Sequence, residues 1–194
     1  FSAATASRWA ARFGGTGRFS MLEIEIKAYC DDLARVRATV IDRGGRFVRD
    51  SVERDIYFNH PARDFGATDE ALRIRAVDGR FVLTCKGPKI GERAKSRYER
   101  EVVIDDADGM EEILVRLGFS VTDRVEKRRS VYQLGDVEVC FDDVAGAGTF
   151  VELERKGMER VAIEDELFRL AAELGLERFE RRSYLDLVME RRAT

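Results

Sequence analysis

Five times, on stretches that alternate like β-strands, this chain sets two like charges two residues apart. Three of the pairs are acidic (Glu23 and Glu25, Glu99 and Glu101, Glu152 and Glu154) and two are basic (Arg73 and Arg75, Lys127 and Arg129). In a strand, residues i and i+2 point to the same face, so the members of each pair stand side by side. Like charges held together cost energy unless something of opposite sign lies between them. The fold must therefore turn these pairs toward one another or toward a ligand of opposite sign. Several of each sign in one small chain suggest a site for a polyanion with its divalent metal.

The pattern along the chain supports a strand-rich fold. LEIEIKAY (22–29) alternates apolar and charged residues as a strand does. Asp31 or Asp32 then caps a helix through LARVRATVIDR, which Gly44-Gly45 stops. A strand region follows over 46–59, then a loop over 61–70. Strands 71–77 and 80–87 form a hairpin around Asp78-Gly79, a favoured two-residue turn. Residues 87–96 read as a mobile loop. The layout then repeats: strand 98–105, a short helix within 106–118, and two strands joined at Gly135-Asp136. A third pass gives strand 149–156, helix 162–175 and strand 177–188. Glu164 and Glu166 fall on a helix, where i and i+2 diverge, so they are expected on the solvated surface.

Composition limits the functions available. Of the 194 residues, 44% are hydrophobic, enough for a core, and 37% are charged, well above the usual quarter. The net charge is only −3, which argues against a nucleic-acid surface. No run of 18 apolar residues exists to span a membrane. Three widely spaced cysteines and one histidine disfavour a disulfide scaffold, a zinc site and histidine-based nucleophilic catalysis. His60, before Pro61, reads as a loop residue, and a reducing, cytoplasmic setting fits. Residues 1–20 contain no acid and several arginines, a composition that imitates a transit peptide. They are expected to be a disordered extension ahead of a natural start at Met21, with a single domain over 21–192.

The charged pairs suggest chemistry. Glu23, Glu25 and Lys27 share a strand face; the two carboxylates supply hard oxygen ligands for Mg²⁺ or Mn²⁺, and the lysine a point charge for phosphate. Arg73 and Arg75 suit bidentate phosphate oxygens, and the next strand adds Lys86. Lys127 and Arg129 form a second cationic pair. Asp142 precedes a Gly146-Ala147-Gly148 turn that would bring it beside Glu152 and Glu154, a convergence that suggests a cation. Each pair alone is compatible with a solvated strand face. Together they would make an unusually repulsive surface, whereas facing one another they form an alternating cage. A closed barrel with a polar interior and helices outside satisfies the amphipathy of the strands; an open antiparallel sheet with one solvated face is the alternative.

In this order the motifs resemble the CYTH, or triphosphate tunnel metalloenzyme, superfamily. Its Glu-x-Glu-x-Lys signature stands here as Glu23-Ile24-Glu25-Ile26-Lys27. Its Arg-x-Arg is Arg73-Ile74-Arg75, its next-strand lysine Lys86, and its central Glu-x-Glu is Glu99 and Glu101. Its Lys-x-Arg is Lys127 and Arg129, its aspartate before Gly-x-Gly is Asp142, and its last Glu-x-Glu is Glu152 and Glu154. RDIYFNHPARDFGATDEALRIR, which holds Asp55 and Tyr57, and FDDVAGAGTFVELE look most like the class IV adenylyl cyclase branch, although Ala147 replaces the usual leucine between the glycines. The resemblance implies an α+β fold, an eight-stranded antiparallel barrel whose tunnel binds triphosphate and divalent metal, with helices outside. It implies phosphate binding by Lys27, Arg73, Arg75, Lys86, Lys127 and Arg129, and metal binding by Glu23, Glu25, Asp142, Glu152 and Glu154. Catalysis is expected to centre on Lys27, Arg129, Glu23 and Glu25, with Glu99, Glu101, Asp55 and Tyr57 in supporting places. The expected reaction is ATP to cyclic AMP and pyrophosphate. Hydrolysis of thiamine triphosphate or inorganic triphosphate is the alternative, and a non-catalytic polyphosphate- or nucleotide-binding module a third reading. A homodimer is compatible with the family.

Overall fold

A computed structural model describes residues 22–193. The extension over 1–20 and Met21, about which the sequence raised expectations, lie outside the described residues. The described chain runs β1 (Leu22–Tyr29), α1 (Leu33–Asp42), β2 (Arg46–Asn59), α2 (Phe65–Thr68), β3 (Ala71–Val77), β4 (Arg80–Lys86), β5 (Lys95–Arg97), β6 (Glu99–Ile104), α3 (Ala107–Arg116), β7 (Ser120–Leu134), β8 (Val137–Val144), β9 (Gly148–Gly157), α4 (Arg160–Glu173) and α5 (Tyr184–Arg192). No helix among the described residues is long and apolar enough to cross a membrane.

The strands form one sheet in the order β5-β1-β9-β8-β7-β2-β3-β4-β6, with every neighbouring pair antiparallel. Its two outermost strands, β5 and β6, are consecutive in the chain and separated only by Tyr98. The segment 95–104 therefore pairs with β1 through its first part and with β4 through its second, which curls the sheet into a barrel. Nine strands are present where eight were expected; the extra one comes from the break at Tyr98.

Strand alternation sorts the side chains to two sides of this barrel. The even residues Ile24 and Ile26 of β1 face outward with Val139, Phe141, Val151 and Leu153. There Val36 and Val40 of α1, and Ile163, Leu167 and Ala171 of α4, cover them. Opposite, α3 and the short α2 cover Phe58, Leu72 and Ile74 with Leu114 and Phe65. Each buried aliphatic side chain contributes about 1.5–3 kcal/mol. Removing most of fully buried Leu153 would cost about 2–5 kcal/mol. The odd residues of β1, Glu23, Glu25 and Lys27, face inward. Local signals hold the helices and turns in place. Asp32 caps α1 by accepting from Arg35 N at 2.9 Å, and Asp78 and Gly79 both take positive φ in the hairpin turn between β3 and β4.

Several expectations are corrected. Residues 177–188 do not form a strand. Only Phe179 bridges to Ala28, occupying the stretch of β1 that β5 leaves unpaired, and the chain then enters α5. A Ser183–Asp186 capping box starts that helix: Ser183 Oγ accepts from Asp186 N, and Asp186 Oδ2 accepts from Ser183 N. The segment 87–96, expected to be a loop throughout, contributes the start of β5, and 61–70 contains α2. Glu164 is buried rather than solvated; Arg160 donates to it across one helical turn at 2.6 Å.

Candidate functional site

The inward residues line a cavity of about 580 Å³, within the range of small-molecule sites. Of the residues singled out from the sequence, all but Asp55 and Asp142 line it. Those two share the inward face but sit beneath the lining, 4% and 0% exposed, where each holds cations that do reach the cavity.

The basic side is tightly organised. Asp55 accepts a bidentate pair from Arg75, Nε to Oδ1 and Nη2 to Oδ2, both at 2.7 Å, and one bond from Arg73 at 3.4 Å. The second nitrogen fork of Arg75 reaches Glu53 at 2.6 Å. Asp142 accepts from Arg129 Nε at 2.7 Å and Nη2 at 2.5 Å, and from the Tyr184 hydroxyl at 2.7 Å. Arg129 also contacts Glu152. Lys127 hangs between Glu53 at 3.2 Å and Asp142 at 3.4 Å. Lys86 donates to Glu99 at 2.7 Å, and Thr84 to Glu101 at 3.1 Å.

These pairings set the proton affinities. Burial pushes the Glu53 carboxyl up, but Lys127, Arg75 and Arg129 outweigh it and bring it down to about 2. Asp55 is held low against burial by Arg73 and Arg75, and Glu152 well below the usual range, against burial, by Arg129 and Lys127. All three are ionised at neutral pH and keep their guanidinium and ammonium partners charged.

The acidic side is different. Glu25 is met by Lys95 at 2.9 Å. Glu23 and Glu154 are reached only loosely by the exposed Lys156, at 3.6 and 3.9 Å. Register explains the crowding: Glu154 stands directly opposite Glu25 on one neighbour and Glu138 on the other. Burial, then the charges of Glu23 and Glu25, push the Glu154 carboxyl up to about 8. Burial likewise raises Glu23, with Glu99 and Glu25 adding to it against Lys86. Glu23 and Glu154, which lack a close cation of their own, thus cluster beside Glu25 as acidic groups that a further cation would satisfy. Carboxylate oxygens are the donors that Mg²⁺ and Mn²⁺ prefer, so this set fits such an ion in chemistry. Among the described residues, no three Asp, Glu, His or Cys side chains already converge as a metal-binding group.

Lys27 lies between the two sides, 2% exposed. Its Nζ donates to the Arg182 carbonyl at 2.6 Å and sits 4.0 Å from the centre of the Tyr184 ring. Burial, then the neighbouring Lys95 charge, lowers its amine well below the ordinary lysine value.

Sequence reasoning missed Glu53, Lys95, Lys156 and Tyr184. Glu53 had a signal: it shares a strand face with Asp55 and Tyr57 in VERDIYF. Lys95 fell in an expected loop and Tyr184 in an expected strand, so neither could be assigned a facing direction. His60 does not line the cavity; it packs edge-on against Phe119 at 5.1 Å.

Comparisons with known proteins place this arrangement among relatives. The CYTH domain family model matches residues 21–184. A Methanocaldococcus jannaschii protein named provisionally as an adenylate cyclase is 40% identical over 172 residues, covering 86% of this chain and 98% of the relative. Adenylate cyclase CyaB of Aeromonas hydrophila is 33% identical over 147 residues, covering 72% and 74%. Among solved structures, the PH1819 protein of Pyrococcus horikoshii superposes with a TM-score of 0.80 at 42% identity, covering 87% of this chain and 98% of its own.

Proposed function

The chain belongs to the CYTH domain family, and from that premise we propose that it is a metal-dependent enzyme acting on a triphosphate, with ATP converted to cyclic AMP and pyrophosphate as the reaction. One observation carries this reading. A single cavity sets a wall of fixed cations, Arg73, Arg75, Lys86, Lys127 and Arg129, against a cluster of carboxylates with too little positive charge. Polyphosphate satisfies the first and a divalent cation the second. The names of the two curated relatives favour the cyclase reaction.

Phosphoryl chemistry asks a protein for positioning and charge neutralisation. The guanidinium groups of Arg73, Arg75 and Arg129 are held by buried carboxylates in one orientation before substrate arrives, so little reorganisation is needed to meet phosphate oxygens. Lys86 and Lys127 add point charges that offset the negative charge developing on departing pyrophosphate. Glu23, Glu25 and Glu154 would hold the divalent ion, which supplies Lewis-acid activation of the attacking hydroxyl and neutralises phosphate charge. Asp142 and Glu152, also expected to bind metal, hold Arg129 and Lys127 in the ligand-free protein. Lys27, its amine lowered by burial and then by Lys95, gives up its proton at lower pH than an ordinary lysine.

The test is incubation of the purified protein with ATP, inorganic triphosphate or thiamine triphosphate, each with Mg²⁺ or Mn²⁺. Cyclic AMP with pyrophosphate supports the proposal. Orthophosphate without cyclic nucleotide makes the protein a triphosphatase, and tight metal-dependent binding without turnover makes it a binding module.

A further inference from the structure

Tyr184 is the first residue of α5 and touches no strand partner by register, yet three of the cavity's cations depend on it. Its hydroxyl donates to Asp142 Oδ2 at 2.7 Å. That carboxylate is 0% exposed and accepts four hydrogen bonds, two from Arg129 and one each from Lys127 and Tyr184. Three of the four fall on Oδ2 and one on Oδ1, so turning the carboxylate would break several bonds at once. The face of the same ring meets Lys27 Nζ at 4.0 Å and Lys127 Nζ at 5.1 Å, both within the reach of a cation–π attraction.

The helix that carries this tyrosine is itself fixed. The capping box at Ser183 and Asp186 sets where the helix begins, and Leu187 and Val188 bury against Val125, Val144 and Phe150 at one end of the barrel interior. Just before the cap, the Arg182 carbonyl accepts from Lys27. An apolar plug needs no hydroxyl at this position; phenylalanine would fill the same space.

We propose that Tyr184 is a positioning residue of the triphosphate site: its hydroxyl locks Asp142, and through it Arg129 and Lys127, while its ring seats Lys27. The proposal rests on the reading that these cations hold phosphate. It makes α5 part of the binding apparatus, although its sequence carries none of the charged pairs. Without the hydroxyl, Asp142 gains freedom to turn, Lys127 shifts its pairing toward Glu53, and Arg129 loses its fixed fork.

The experiment compares Tyr184→Phe and Tyr184→Leu with wild type, with Tyr29→Phe as control, since the Tyr29 hydroxyl bonds only Glu180 in this network. Affinity for inorganic triphosphate is measured by calorimetry. Exchange of the Arg129 Nε proton is followed by NMR in the ligand-free protein, assigned with Arg129→Lys. Tyr184→Phe is expected to fold normally, to weaken binding about ten- to a hundredfold, the value of a hydrogen bond to a charged group, and to speed the Nε exchange. Tyr184→Leu weakens binding further, and Tyr29→Phe leaves both readouts unchanged. In an Asp142→Asn background, Tyr184→Phe adds little, because the two act in one chain of contacts. Binding within twofold of wild type together with unchanged Nε exchange in Tyr184→Phe overturns the proposal. If wild type binds no triphosphate, the proposed function fails, and the exchange measurement still decides whether Tyr184 fixes Arg129.

Discussion

Two sets of carboxylates share this barrel and behave in opposite ways. Glu53, Asp55 and Glu152 each face a guanidinium or ammonium group and are held below their usual range. Glu23 and Glu154 have no close cation of their own and are raised, Glu23 chiefly by burial and Glu154, which stands among other acids, to about 8. Burial acts upward on all of them; what differs is the neighbour that the strand register supplies. Asp55 stands opposite Arg75, whereas Glu154 stands between Glu25 and Glu138. The first set finds its cations within the ligand-free protein. On the proposed reading, the second is completed by a divalent cation.

The largest effect that would break this contrast comes from Glu154→Gln. It should lower metal-dependent turnover by at least about a hundredfold while leaving the ligand-free protein as stable as wild type or more so, because a repulsive neighbour is gone. Loss of activity with loss of fold would place Glu154 in the structural set instead.

Asp142→Asn tests the cation-holding carboxylates, which Asp142 joins through its contacts with Arg129 and Lys127. It leaves Arg129 and Lys127 buried with a weakened partner, so unfolding in urea should show a loss of about 3–5 kcal/mol. Unchanged stability together with lost metal dependence would return Asp142 to the metal-binding role expected from the sequence.

The pH dependence separates the sets by sign. The folded-state value for Glu154 lies above its ordinary 4.5, so the folded protein holds more protons and the associated stability is lost as pH rises from about 4.5 to about 8. Glu53 is lowered to about 2, so its contribution is present above 4.5 and lost as pH falls toward 2. The melting temperature of the metal-free protein should therefore fall by several degrees between pH 5 and 8.5, and saturating Mg²⁺ or Mn²⁺ should flatten that limb. A flat metal-free profile would mean that the carboxylates of β1 and β9 do not repel as their register implies.

The smallest effect belongs to pairs outside the barrel. Arg116 and Glu112 bridge across one turn of α3 with both side chains mostly exposed. Arg116→Ala should change stability by no more than about 0.5 kcal/mol and should not alter triphosphate affinity.

Much of the barrel was legible because strand period is strict. A charge two residues from another in LEIEIKAY must share its face, and the alternating Leu22, Ile24 and Ile26 must take the other. The β3–β4 hairpin was legible because Asp-Gly suits the positive φ values that a tight turn needs. The C-terminal segment was not: ERFERRSYLDLV alternates well enough to imitate a strand, while the Ser183–Asp186 capping box that starts a helix spans four ordinary residues. Glu164 was misplaced for a related reason. Helical spacing says which side a residue takes, but not that a half-exposed Arg160 would pair with a buried Glu164.

The sequence by itself determined which residues of each strand share a face, because that depends only on the two-residue period of a strand, and with it the acidic and basic character of that face. Tertiary structure decided which carboxylate meets which cation. Pairing depends on register between strands far apart in the chain and on where α5 enters the barrel. That register leaves Glu154 among acids, surrounds Asp142 with donors, and brings Tyr184 under Lys27.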